Sequence, residues 1–150
     1  MVLRQANIND CELYFDWVND KIVRKYSFDT NTIEWKDHQE WFNDKLKDSN
    51  SYLYIAENNQ DIIGQVRFDC KNEKAVMDYS ISCDYRGKSL GRLLVARALE
   101  KIKKDCLGVK IIEAKVKVDN IASRKIFLGL NFNNQNTTEQ VVTYQLLLLG

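Results

Sequence analysis

The sequence predicts a mixed α/β domain built in layers. Two observations carry this. Along the chain the apolar period switches between helical steps of three and four and the strand step of two. A length of 150 residues with 45% hydrophobic content is enough for one domain, 1–150, with a full core. The absence of proline fits long regular elements.

Val2 to Ala6 is predicted as an opening strand. Asn9 or Asp10 is placed to cap a helix whose apolar face is Leu13, Phe15, Trp17 and Val18, and Asn19-Asp20 ends it. Residues 22–28 read as an irregular segment rich in large side chains. Ile33 to Leu46 is the next helix, with Trp35, His38, Trp41, Phe42 and Leu46 at helical spacing. Tyr52–Ala56, Ile62–Phe68 and Ala75–Ile81 are strands. The turns Asn58–Asp61 and Lys71–Lys74 join them into an antiparallel meander. A polar connection from Ser82 to Lys88 leads into a helix from Ser89 to Lys104. Its stripe is Leu90, Leu93, Leu94, Ala98 and Ile102, and Gly108 fits its stop. A strand over Ile111–Val118, with Ile112, Ala114, Val116 and Val118 on one face, a helix over Asn120–Leu130 and a strand over Gln140–Leu149 complete the order.

Several function classes are excluded or disfavoured. The 22 basic and 21 acidic side chains leave a net charge of +1, which is no footprint for nucleic acid. No apolar run approaches the roughly 18 residues of a membrane span, and the first residues are not a signal peptide. Cys11, Cys70, Cys83 and Cys106 form no C-x-x-C pair, and His38 is the only histidine, so neither a disulfide framework nor a zinc site is expected. These features predict a reduced, cytoplasmic protein.

The informative stretch is Tyr85-Arg86-Gly87-Lys88-Ser89-Leu90-Gly91-Arg92, between a strand and a helix. A helix start offers free N–H groups and a positive dipole end to an anion, and glycine lets that anion approach the backbone. Arg86, Lys88 and Arg92 add charge. A Walker loop would need glycine at Ser82, and the glycines of a dinucleotide fingerprint are missing.

What remains resembles the acetyl-CoA loop of the GNAT acetyltransferase superfamily, Arg/Gln-x-x-Gly-x-Gly/Ala. Arg86, Ser89 and Gly91 fall on it, with Ser89 in place of the usual first glycine. Asn120 to Phe132 is similar to that superfamily's fourth-helix segment, N-x-x-S-x-x-x-[YF]-x-x-x-G-F, and the element order of nearly the whole chain agrees. The resemblance implies an α/β GNAT fold: a mixed, mostly antiparallel central sheet, about four helices, and fourth and fifth strands that splay apart. It also implies acetyl-CoA as acetyl donor, with the backbone of Ile81, Ser82 and Cys83 along the pantetheine arm. The N–H groups from Arg86 through Gly87, Lys88, Ser89 and Leu90 to Gly91 would hold the pyrophosphate beside Arg92. Asn120, Ser123 and Phe127 would line the coenzyme. For Asn120 an ordinary helix cap, and for Ser123 cover of the first helical turn, are the structural alternatives.

The implied reaction is attack of a neutral amine on a thioester. An amine of pKa ~10 must lose a proton first, so a base is needed. Glu113 and Asp78 are the candidates, although Glu113, Lys115 and Lys117 also read as a solvated strand face. Phe127 stands where many members carry a tyrosine proton donor. Tyr144 or Tyr79 is the substitute, unless a thiolate of pKa ~8.5 leaves unaided.

The first two helices and the segment between them resemble acetyltransferases acting on nucleotide-linked amino sugars. Trp17, Arg24, Ser27, Phe28, His38 and Trp41 would meet the acceptor, with aromatic faces stacking on sugar or base and Arg24 pairing with a diphosphate. Core packing is the alternative for the aromatics, and a structural hydrogen bond for His38. Rival functions are acetylation of protein N-termini, a non-catalytic acetyl-CoA-binding module, and a cysteine hydrolase built on His38 and Cys83. The leucine-rich last strand is compatible with a homodimer.

Overall fold

The computed structural model describes residues 1–148. Among these, seven strands and five α-helices follow the order β1 (Val2–Gln5), α1 (Cys11–Val18), α2 (Lys21–Tyr26), α3 (Trp35–Lys47), β2 (Ser51–Asn58), β3 (Asp61–Lys71), β4 (Lys74–Ile81), α4 (Leu90–Asp105), β5 (Ile111–Lys117), α5 (Ile121–Gly129), β6 (Asn133–Thr137) and β7 (Val141–Leu147). They make one sheet in the order β1-β2-β3-β4-β5-β7-β6. Its neighbours are antiparallel except β4 and β5.

The two tight turns of the meander owe their shape to left-handed residues. Asn59 (φ 51°) and Gln60 (φ 76°) turn β2 into β3, and Asn72 (φ 58°) turns β3 into β4. Asn adopts this region at low cost because its short amide bonds locally. Where β3 faces β4, Gly64 sits so close that a Cβ would lie 2.3 Å from the Ser80 carbonyl oxygen. No side chain fits that approach.

Side chains alternate across the sheet and build a core on each face. On one face Tyr54, Val66, Phe68, Met77, Ile112 and Ala114 pack with Val95, Ala98 and Ile102 of α4 and Phe127 of α5. On the other face Leu53 and Ile55 pack with Cys11, Tyr14 and Trp17 of α1 and Phe42 of α3. The Tyr14 hydroxyl donates to the Tyr54 carbonyl at 2.9 Å, which ties α1 to the sheet.

The parallel pairing of β4 and β5 is short. It covers Lys74↔Ile111, Ala75↔Ile112 and Val76↔Glu113 and then stops. Beyond it β4 stays on β3 as far as Ile81, and β5 stays on β7 as far as Lys117. The strands therefore splay from Met77 onward, as the resemblance implies. The facing backbone edges are left open to a ligand.

Several sequence expectations need correction. Residues 22–28 are not irregular: Lys21–Tyr26 is a helix, missed because none of its residues is buried and no apolar stripe marks it. It raises the helix number from about four to five. Of the expected face of α1, Trp17 is buried with Cys11 and Tyr14 and Leu13 packs half-buried against them, whereas Phe15 meets Trp35 and His38 of α3 and Val18 lines the cleft described below. Asp10 sits at its N-cap but turns its carboxylate to Arg4 and the Asn7 N–H. In α4 the buried stripe includes Val95 and Leu99 and leaves Leu93 exposed. The helix ends at Asp105, and Gly108 does not take the left-handed conformation of a glycine stop. Strand β6 was not expected, because Asn133–Thr137 is wholly polar and exposed. Strand β7 is paired on both sides, by β5 and β6, so it offers no free edge for a dimer. Leu149, at the end of the expected last strand, lies outside the described residues.

Candidate active site

The splay opens a cleft of about 1200 Å³ that runs through the sheet from the α4–α5 face to the α1–α3 face. Its two ends carry different chemistry.

On the α4–α5 side the wall is the connection from β4 into α4. Gly87 (φ 75°) and Ser89 (φ 61°) are both left-handed. This geometry aims successive N–H groups at one region, a nest suited to an anion. Among the described residues the N–H groups of Gly87, Lys88, Ser89, Leu90 and Gly91 meet no acceptor, and no side chain caps α4. They stand at the positive end of a 16-residue helix. Ser89 occupies a backbone position that disfavours every residue with a Cβ, which accounts for glycine being usual there. Gly91 has a separate reason: a Cβ would come 2.9 Å from Ile126 Cδ1 and 3.7 Å from the Tyr79 ring.

The opposite bank is the start of α5. The Asn120 side chain accepts from the Ser123 N–H at 3.3 Å, so it does cap the helix, and it also lines the cleft. The Ser123 and Tyr79 hydroxyls share a 2.7 Å hydrogen bond. Burial pushes the Tyr79 phenol up, against the Ser123 contact, so it holds its proton at neutral pH. Phe127 lies edge-on to Tyr79, with ring centroids 5.9 Å apart, and stacks on Tyr144 at 5.8 Å.

On the α1–α3 side β3 and β4 present Gln65, Arg67 and Asp78 to the cleft. The Gln65 amide donates to Asp78 Oδ2 at 3.3 Å and Ser80 Oγ at 3.2 Å. Arg67 lies over the Trp41 ring, 5.1 Å from its centroid, and pairs with Asp69 at 3.2 Å. Facing them are Tyr26, Ser27 and Phe28, the last 61% exposed although it is a large apolar ring.

Of the residues singled out in the sequence, Asp78, Ile81, Arg86, Gly87, Ser89, Leu90, Gly91, Arg92, Asn120, Ser123 and Phe127 line this cleft. So do Arg24, Ser27, Phe28, His38 and Trp41. Others lie elsewhere. Trp17 is in the α1 core, edge-on to Tyr14. Glu113 is buried on β5 at the last pair before the strands part, outside the cleft lining, with its carboxylate paired to Lys74 at 2.9 Å. Tyr144 is in the core and accepts from Arg124 Nε at 3.3 Å. Ser82 and Cys83 stand outside the cleft lining, with Cys83 exposed, and Lys88 points its ammonium over the Tyr85 ring. His38 is almost wholly buried among Phe15, Trp35, Trp41 and Phe42. Its Nε2 lies 2.9 Å from the Cys11 carbonyl oxygen. Burial lowers its pKa, although the carbonyl acts the other way. Arg24 spends its guanidinium on the carbonyls of Val18, Asp29 and Asn31 and on Ser27 Oγ. Gln65 was missed, because a polar residue inside a strand reads as solvent-facing. Among the described residues no group of acidic, histidine and cysteine side chains is placed to hold a metal ion. No helix there is long and apolar enough to cross a membrane.

The sequence matches the acetyltransferase (GNAT) domain family over residues 1–133. The chain belongs to that family. As a GNAT acetyltransferase it uses acetyl-CoA as its donor. Solved structures share the fold at low identity. One is the spermidine N-acetyltransferase from Vibrio cholerae in complex with CoA and spermine (21% identity, 97% of this chain and 94% of that one, TM-score 0.86). Another is the ribosomal-protein-alanine N-acetyltransferase from Brucella melitensis (16%, 99% and 100%, TM-score 0.81). A third is yncA from Salmonella typhimurium with its cofactor acetyl-CoA (17%, 100% and 95%, TM-score 0.81). No curated protein matches the chain in sequence.

Proposed function

We propose that this GNAT acetyltransferase carries acetyl from acetyl-CoA to the primary amine of a nucleotide-linked amino sugar, as a single cytoplasmic domain. Acetyl-CoA enters from the α4–α5 side. Its pyrophosphate sits on the N–H groups of residues 87–91, and its pantetheine arm fills the open backbone edge of β4 past Val76. The acceptor enters from the α1–α3 side, so amine and thioester meet in the gap.

Two groups stand where protons must move. Asp78 lines the acceptor end and takes the amine proton. The freed lone pair attacks the thioester carbon; as the C–S bond breaks the nitrogen gives up its second proton to solvent, and the amide forms. Tyr79, on the coenzyme side, gives its proton to the departing thiolate and recovers one through Ser123. Glu113 has no part, since its carboxylate is committed to Lys74 outside the cleft.

The acceptor class rests on one observation: a half-exposed aromatic wall, Phe28 and Tyr26, faces a chamber of mixed charge. An aromatic wall suits a sugar face or a base. Arg24 and Trp17 cannot serve a nucleotide, because backbone carbonyls and core contacts already hold them. Lys115 can: it is exposed in the cleft and in no ion pair among the described residues. The second reading is a polyamine, favoured by the cleft carboxylates of Asp29, Asp37 and Asp78. Thiol release from acetyl-CoA in the presence of a uridine- or thymidine-diphosphate amino sugar, spermidine, or an alanine-ended peptide separates the classes. Turnover with the sugar nucleotide is expected. Turnover with spermidine or the peptide alone overturns the acceptor assignment, and binding of acetyl-CoA without thiol release from any amine leaves a binding module.

A further inference from the structure

Helix α2 has six residues and none of them is buried. A helix that short does not hold itself together in water. Yet Ile22, Val23, Arg24 and Tyr26 form part of the cleft wall, so polar ties must keep α2 in place. At its start, Asp20 Oδ1 accepts from the N–H groups of Ile22 (2.9 Å) and Val23 (3.2 Å) and from Arg86 Nη2 (2.8 Å). At its end, Lys117 Nζ donates to the Lys25 carbonyl at 3.0 Å. Arg86 belongs to the connection between β4 and α4, and Lys117 closes β5. Those are the two banks of the splay, so α2 lies strapped across its mouth. Past α2, Arg24 braces residues 27–31 through the carbonyls of Asp29 and Asn31.

We propose that Asp20 is a positioning residue through which coenzyme on the Arg86 loop orders the acceptor wall. This rests on the reading that the pyrophosphate occupies that loop. Arg86 spends only Nη2 on Asp20; among the described residues its Nε and Nη1 meet no acceptor, and it lines the cleft. A guanidinium has donors enough to grip a phosphate and keep its carboxylate. Coenzyme therefore pins Arg86, Arg86 pins Asp20, and Asp20 holds the cap of α2. Burial pushes the Asp20 carboxyl up, but the Arg86 hydrogen bond and the two N–H donors outweigh it and keep the group ionised. The wall that carries Ser27 and Phe28 is then best organised when the donor is already bound.

Hydrogen exchange of the full chain, with and without CoA, tests this. CoA is expected to slow exchange at residues 87–93 and, at a distance, at residues 21–31, the latter by about fivefold or more. Asp20→Ser keeps the helix cap, since Ser caps as well as Asp, but removes the carboxylate that holds Arg86. It should retain protection at 87–93 and lose it at 21–31. Protection confined to 87–93 in the native protein overturns the proposal. So does a native-like response at 21–31 in Asp20→Ser, which would mean direct contact with CoA. No protection at 87–93 is a different result: it refutes the pyrophosphate reading itself, and the coupling falls with it.

Discussion

The hydroxyls of Tyr79 on β4 and Ser123 on α5 meet at 2.7 Å across the α4–α5 end of the cleft. Phe127, at the place where the resemblance expects a proton donor, touches the same Tyr79 ring. A phenol is thus present, delivered from the strand instead of the helix. Tyr79→Phe is expected to lower kcat about 100-fold, the size usual for one positioned acid, while acetyl-CoA affinity by calorimetry stays within about twofold. Adding Phe127→Tyr should restore part of the loss. Equal kcat for Tyr79→Phe and native enzyme would show that the thiolate leaves without help.

Asp78 and Glu113 are separated by what they already hold. Glu113 is paired with Lys74 outside the cleft, and Asp78 lines it. Asp78→Asn should therefore cost about 100-fold or more in kcat. Glu113→Gln should leave kcat within about threefold, and show its effect as a small loss of stability instead. Reversed results in a steady-state comparison would reassign the base.

The helix start at α4 makes two opposite demands. Gly91 is hemmed by Ile126 Cδ1 at 2.9 Å, so Gly91→Glu brings a clash and a negative charge to the proposed pyrophosphate site. Calorimetry should detect no acetyl-CoA binding. Ser89, by contrast, sits at φ 61°, where glycine is at ease. Ser89→Gly should bind acetyl-CoA as the native chain does and gain up to about 1 kcal/mol of stability in urea unfolding. A destabilised Ser89→Gly would mean that its hydroxyl, and not the backbone, matters there.

His38 ties stability to pH. Its folded pKa lies below the ordinary 6.5 because of burial, so below pH 6.5 the unfolded chain binds the proton more readily than the folded one. Stability from this residue is full above 6.5 and falls as the pH drops from there towards the lowered folded value. Melting temperature should decline over that range in the native protein, and the slope should flatten in His38→Gln. An unchanged slope would show that other groups carry the acid sensitivity.

Fold and site were legible to different degrees, for physical reasons. The meander and α3–α5 have apolar periods close to their burial, with Trp35 and Leu93 as exposed exceptions, so their places were readable. Strand β6 and helix α2 were not, since an exposed polar strand and a helix with no buried residue leave no period to read. The connection from β4 into α4 was readable as a cleft wall because its residue types answer to local backbone geometry. Tyr144, Glu113 and Trp17 were misplaced for the opposite reason. Whether a side chain faces a cleft or a core depends on contacts between distant segments, such as Trp17 against Tyr14 or Glu113 against Lys74.

The tight seam at Gly64 has a consequence for anyone mapping this enzyme by random mutagenesis. Even alanine there would wedge against the Ser80 carbonyl and lever β3 away from β4, the strand on which both Asp78 and Tyr79 ride. Such variants would score as dead catalysts while keeping every reactive group. Position 64 would pass for part of the chemistry when it is only the hinge pin of the frame.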